Sequence, residues 1–173
     1  MAHIHQFSAQ LNSSAKLPEG TQLKLTVSHV PLMQTGFNIP VSISSPKRPS
    51  PDNVQNIQSA TVMAHFDTGA SKTSIDTKLA EFLGLIPVGA GVIHTAAGEA
   101  RMPNYAVDIS FPGAKLSPFI NLPIGSCNLP FKINDDGKIM ISPQNFGLLI
   151  GRDIMSRWNI VWNGPTSTVF ISD

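Results

Sequence analysis

Short apolar runs alternate with polar residues through most of the chain, and turn formers break them at close intervals. Leu23, Leu25 and Val27 alternate with Lys24, Thr26 and Ser28, the period-two mark of a half-buried strand. Ile39, Val41 and Ile43 repeat the pattern within Asn38 to Ser44. Val62 to Phe66 is apolar except for His65 and stops abruptly at Asp67-Thr68-Gly69, which predicts a buried strand ending in a tight turn. Ser71 to Ile75 continues extended, and Asp76 is placed to cap a short helix. Leu79, Phe82 and Leu83 would share one face of that helix, with Gly84 just past its end.

Gly91 to Thr95 and Arg101 to Ile109 flank the small-residue tip Ala96-Ala97-Gly98-Glu99, predicting a hairpin with a light, mobile end. Phe111 to Asn145 alternates short strands with Pro and Gly turns, and Asn134-Asp135-Asp136-Gly137 is a strong hairpin-turn signal. A second apolar run, Gly147 to Ile150, breaks at Gly151 and leads into a helical pattern over Arg152 to Arg157. Asn159 to Trp162 and Thr166 to Ile171 form a last hairpin around Asn163-Gly164-Pro165. Trp158, Ile160 and Trp162 alternate there, which directs them into the core or a subunit contact.

Composition narrows the class. The 14 Pro and 13 Gly among 173 residues suit an all-β fold with many turns. One domain is expected, over 21–173, preceded by a polar segment without periodicity, 1–20, that reads as a flexible terminus. Ser45 to Asp52 is a Pro-rich, basic loop that cannot pair in a sheet. With only 13% charged residues and a net charge of +1, electrostatic capture of nucleic acid is not expected. Cys127 is the single cysteine, so no internal disulfide forms. Met1 to Gln10 has no apolar run, and no stretch approaches the ~20 apolar residues of a membrane helix. The expectation is a cytoplasmic protein without a membrane partner. His3 and His5 lack a neighbouring carboxylate or thiolate and read as solvated side chains rather than metal ligands.

The candidate chemistry lies at Asp67. A carboxylate at the end of a buried strand must be hydrogen-bonded, paired or protonated, because a bare buried charge is too costly. Gly69 allows a sharp turn and close approach of other groups, and Thr68 adds a hydroxyl that can bond across to another strand. Asp135 and Asp136 also form a carboxylate pair, but they sit in a turn without a following Thr/Ser-Gly and are not expected to be catalytic.

Asp67-Thr68-Gly69-Ala70-Ser71, the helix carrying Ala80, Leu83-Gly84-Leu85, and the distal Leu148-Leu149-Ile150-Gly151-Arg152-Asp153 together resemble the retropepsins. These are the single-domain aspartic proteases of retroviruses and their bacterial and cellular relatives. The resemblance runs over 61–173. It implies a closed or partly open β-barrel with one or two short helices, and an active site on the axis of a C2 homodimer. The chain holds one Asp-Thr/Ser-Gly, so the second carboxylate must come from another copy.

The implied activity is hydrolysis of peptide bonds by a water that two Asp67 carboxylates activate, with no metal and no organic cofactor. Asp67 is then catalytic, Thr68 braces the two turns across the axis, and Gly69 supplies backbone groups. His65, Ala70, Ala96, Ala97 and Gly98 would contact substrate, the last three at the tip of a covering flap. That tip has one glycine where viral flaps have several. Gly151 and Arg152 are structural, but the acidic residue that pairs with this arginine in retropepsins is replaced by Ser71, leaving Arg152 without an assigned partner. His65 reads first as a hydrogen-bonded strand histidine with no catalytic effect; strand alternation also puts it on the Asp67 face, where a protonated imidazole would favour an ionised carboxylate pair. A non-catalytic dimeric binding or assembly module of the same fold is the alternative. A metal-dependent hydrolase using Asp67 and His65 lacks a third ligand at useful spacing.

Overall fold

The computed structural model describes residues 5–7, 36–46, 58–95, 98–164 and 168–173, with the backbone alone for 5–7 and 93–95. Among these, strands dominate: β1 (His5–Phe7), β2 (Asn38–Ser44), β3 (Ser59–Phe66), β4 (Ser74–Asp76), β5 (Pro87–Thr95), β6 (Gly98–Ser110), β7 (Phe119–Cys127), β8 (Phe146–Ile150), β9 (Asn159–Asn163) and β10 (Thr168–Ser172). Two short helices interrupt them, α1 (Thr77–Phe82) and α2 (Arg152–Met155). The strand predicted over Leu23 to Val27, residues 47–52 of the Pro-rich loop, and Ala96 and Ala97 at the hairpin tip lie outside the described residues.

Seven strands form one sheet in the order β2-β3-β8-β4-β7-β6-β5. It closes because β2 also pairs with β6, Ser42 opposite Ser110 and Ser44 opposite Asp108. Six strands therefore make a barrel without free edges between them, and among the described residues β5 pairs with β6 only. The expected all-β barrel is present.

Alternation fills the barrel. Ile39, Val41 and Ile43 of β2, Val62, Ala64 and Phe66 of β3, Tyr105, Val107 and Ile109 of β6, and Leu148 and Ile150 of β8 are all buried. Each Val, Ile, Leu and Phe among them contributes roughly 1.5–3 kcal/mol on leaving water, so this interior is the main source of stability.

The register decides where the two sequence anchors meet. β3 and β8 run parallel, with Ala64 opposite Leu148 and Phe66 opposite Ile150. Their C-terminal ends are therefore side by side, which brings Asp67 next to Gly151. β4 inserts between β8 and β7, antiparallel to the first and parallel to the second.

Asp76 caps α1 as its type and position predict, accepting from the backbone N–H of Lys78 at 2.9 Å. Its other oxygen accepts from Leu129 N–H at 2.7 Å, which is how a carboxylate only 2% exposed is accommodated. Gly84 takes φ +60° just past the helix, as expected. One detail differs: Phe82 is 42% exposed, and Ala80 is buried beside Leu79 and Leu83 instead. A helix this short turns a narrow face inward, and Phe82 falls on its solvent rim.

The Asn134 turn also forms. Gly137 has φ +73° and its N–H donates to Asn134 O at 2.9 Å, with Asp135 and Asp136 exposed and Asp136 paired to Lys138 at 3.4 Å.

A smaller antiparallel sheet, β1-β10-β9, completes the molecule. Within the segment read as a flexible terminus, His5 to Phe7 lie opposite Ile171 to Val169, a pairing that polar composition concealed. Trp158 is buried against Phe66, Phe111 and Phe119, with ring centres 6.1, 5.2 and 5.8 Å away. Trp162 stays 47% exposed, edge-on to Phe37.

Candidate active site

β3 delivers Asp67 to the end of the barrel, and β8 fixes the handover: Asp67 N–H donates to Ile150 O at 3.1 Å. The chain then turns back at once. Ala70 N–H donates to Asp67 O at 3.2 Å, and Gly69 N–H donates to the carboxylate oxygen Oδ1 at 2.8 Å. A Cβ at residue 69 would lie 3.0 Å from that oxygen, so glycine keeps the carboxylate where it is. Asp67 is half-buried while Thr68 and Gly69 are exposed. Among the described residues, Oδ2 of Asp67 makes no hydrogen bond. One oxygen is thus held by the turn and the other is left for a group from outside.

The second anchor clamps this turn from the side. Gly151 is buried so tightly that a Cβ would meet the Lys72 carbonyl carbon at 2.4 Å and the Thr73 nitrogen at 2.8 Å. Its N–H donates to Thr73 Oγ1 at 3.1 Å. Asp153 accepts from Thr73 N–H at 2.9 Å and from the Thr73 hydroxyl at 2.7 Å. Arg152 then closes the gap in the sequence reading: its Nη1 donates to Thr68 O at 2.7 Å and to Gly69 O at 3.1 Å. Its partners are backbone carbonyls of the Asp67 turn rather than a carboxylate.

Thr73 and Asp153 were missed by sequence reasoning. The hint was an Asp immediately after Gly-Arg, but its partner lies about eighty residues away, just before β4, and nothing local names it. Asn145 was missed for the same reason. It accepts from Lys132 N–H at 2.6 Å and donates to the carbonyls of Lys132 and Met140 at 3.0 and 2.7 Å, tying the segment before β8 together.

His65 has the parity opposite to the buried Ala64 and Phe66, but it is not in open water. Its ring stacks on Phe146, centres 4.7 Å apart, and its Nδ1 lies 3.1 Å from Asn38 Oδ1. Asn38 Nδ2 donates to Gly36 O at 3.4 Å, which turns the amide oxygen toward the imidazole. Burial pushes the His65 pKa below its ordinary value of 6.5, and the nearby Asp67 carboxylate offsets this only in part. Because desolvation outweighs the attraction, the range in which a protonated imidazole could bias the Asp67 carboxylate lies at more acidic pH than for a free histidine.

The β5–β6 hairpin stands out from the barrel as predicted. Its last pair is Thr95 with Gly98, and Gly98 has φ +119°. Val88, Val92 and Arg101 on its arms are exposed. Among the described residues, no group of three or more His, Cys, Asp or Glu side chains gathers to hold a metal, and no helix is long and apolar enough to cross a membrane.

Comparison with known proteins bears on this geometry. The family model described as aspartyl protease matches residues 55–151, a stretch that takes in β3, the Asp67 turn, the β5–β6 hairpin, β8 and Gly151. The chain belongs to the aspartyl protease family. Among solved structures it is similar to a retropepsin-like aspartic protease from Rickettsia conorii, at 16% identity and a TM-score of 0.39, covering 79% of this chain and 93% of that one. No curated protein matches it. In this chain, Asp-Thr-Gly and Gly-Arg-Asp are far apart in sequence yet meet at the ends of adjacent parallel strands.

Proposed function

We propose that the chain is an aspartic endopeptidase whose active form is a homodimer, with Asp67 from each copy in one site. The observation that carries the reading is the Asp67 carboxylate itself: Oδ1 is fixed by Gly69 N–H at 2.8 Å, while Oδ2 is unbonded among the described residues at the exposed end of a rigid turn. One such carboxylate is half of the required apparatus. Two of them close together share a proton, because both cannot be ionised cheaply.

The ionised member takes a proton from a water molecule, whose oxygen attacks the peptide carbonyl carbon. The protonated member gives its proton to the carbonyl oxygen, forming a gem-diol. Collapse returns a proton to the amide nitrogen, breaks the C–N bond and releases acid and amine. No metal and no organic cofactor enters this chemistry.

In this reading the exposed Thr68 hydroxyl bonds across the axis to the partner's turn. Ala70 and His65 line the substrate channel beside Asp67, and Ala96, Ala97 and Gly98 close over the peptide. The β5–β6 hairpin supports that last role, since it is held to the barrel along β6 alone and projects beyond it.

Incubation with a denatured mixed-protein substrate tests the activity. The parent should cleave, and Asp67→Asn should fold normally and lose cleavage by at least ~1,000-fold, since an amide cannot act as the base. Full activity in Asp67→Asn would remove Asp67 from the mechanism. A dimeric parent that cleaves nothing would favour the binding-module alternative.

A further inference from the structure

Three consecutive carbonyls of the Asp67 turn are taken by one residue. Arg152 Nη1 donates to Thr68 O and Gly69 O at 2.7 and 3.1 Å, and the Arg152 backbone N–H donates to Ala70 O at 3.0 Å. The Thr68 carbonyl and the Gly69 N–H belong to the same planar peptide unit. That N–H is the donor holding Asp67 Oδ1 at 2.8 Å. A cationic donor on the carbonyl oxygen draws electron density from the peptide nitrogen and makes its N–H a stronger donor, as bonds in a chain polarise one another. Guanidinium, peptide and carboxylate therefore form one continuous line.

We propose that Arg152 is a positioning residue for Asp67: acting through the Thr68–Gly69 peptide, its guanidinium fixes and strengthens the hydrogen bond that orients the catalytic carboxylate. This rests on the protease reading and deepens it. Several observations favour it over a purely architectural role. Arg152 makes no ion pair among the described residues, and the side-chain bonds it does make, both from Nη1, go to the turn. Both bonds leave the same nitrogen, Nη1, which spans the two neighbouring carbonyls.

The architecture is also held without this side chain. Gly151 N–H and Asp153 are fastened to Thr73, and the residue-152 backbone bond to Ala70 is kept by any substitution other than proline. Because the guanidinium is exposed, its removal should cost the fold little. The effect belongs to Asp67.

The test combines a spectroscopic and a kinetic arm on the full chain, using Arg152→Ala and Arg152→Lys with ethylguanidinium at non-denaturing concentration as the probe. In Arg152→Ala the amide proton resonance of Gly69 should move upfield, reporting a weaker bond, and should return partway when ethylguanidinium is added. On a peptide substrate, kcat should fall about ten- to a hundredfold with KM held within about twofold, the signature of a contact that matters in the transition state. Ethylguanidinium should restore part of that kcat in Arg152→Ala and none in Asp67→Asn, with Arg152→Lys intermediate. An unmoved Gly69 resonance, or a kcat loss that ethylguanidinium does not touch, would overturn the positioning role and leave the protease reading intact. A parent that cleaves no substrate while the Gly69 resonance responds as described would overturn the protease reading and leave the hold on Asp67 intact.

Discussion

His65 is a polar residue inserted two positions before a carboxylate, in a strand otherwise apolar from Val62 to Phe66. The structure satisfies it with a stacked Phe146 ring and the Asn38 amide. Its pKa is lowered, chiefly by burial, which carries a pH signature of definite sign. The unfolded chain protonates His65 near pH 6.5 while the folded chain resists, so the unfolded state binds more protons as pH falls through that region. Stability from the neutral imidazole is complete above about pH 6.5 and declines as pH drops toward the lowered folded value. The melting temperature of the parent should therefore fall relative to His65→Phe between roughly pH 7.5 and pH 5. Differential scanning calorimetry of both proteins across that range checks this, and a constant difference at every pH would mean His65 does not titrate in the transition. The residue's place on the Asp67 side followed from alternation alone. Its lowered pKa did not, because the Phe146 and Asn38 that enclose it come from distant segments.

At the scale of elements, local chemistry was the legible part. The Asp76 cap, the Gly84 stop, the Asn134 turn and the β5–β6 hairpin each depend on residues a few positions apart, and each forms. What local chemistry could not supply were the ties between elements. Thr73 to Asp153, Arg152 to Thr68 and Asn145 to Lys132 pair groups distant in sequence, the first two joining α2 to the Asp67 turn and its continuation, and a sequence carries no spacing that announces them.

The hairpin offers the sharpest element-level prediction. A Cβ at Gly98 would meet nothing within 4 Å, yet φ is +119°, a region that side chains avoid. The penalty of Gly98→Val is thus backbone strain at the tip rather than a clash with the barrel. With β5 joined only to β6, that strain should change the global melting temperature by no more than a few degrees. Turnover should fall about tenfold or more if the tip closes over substrate. Steady-state kinetics beside a thermal melt separate the two, and unchanged turnover would remove the hairpin from the catalytic cycle.

For the whole molecule, the all-β class was readable from Pro, Gly and the short alternating runs, whereas the barrel was implied only by the retropepsin resemblance and not by the pattern itself. Closure depends on β2 meeting β6 as well as β3, and the pattern along β2 reads the same for an open sheet. The parallel pairing of β3 with β8 was foreshadowed only by the two motifs whose meeting it causes. Assembly is the remaining level. One Asp-Thr-Gly per chain demands a partner copy for aspartic chemistry, so an inactive chain should poison an active one. Parent at fixed concentration, titrated with Asp67→Asn and allowed to exchange subunits, measures this directly. Cleavage per parent chain should fall toward zero as mixed dimers replace parent dimers. Cleavage per parent chain that stays constant through a large excess of Asp67→Asn, with exchange verified, would mean that a single Asp67 suffices and that the two-carboxylate site does not exist.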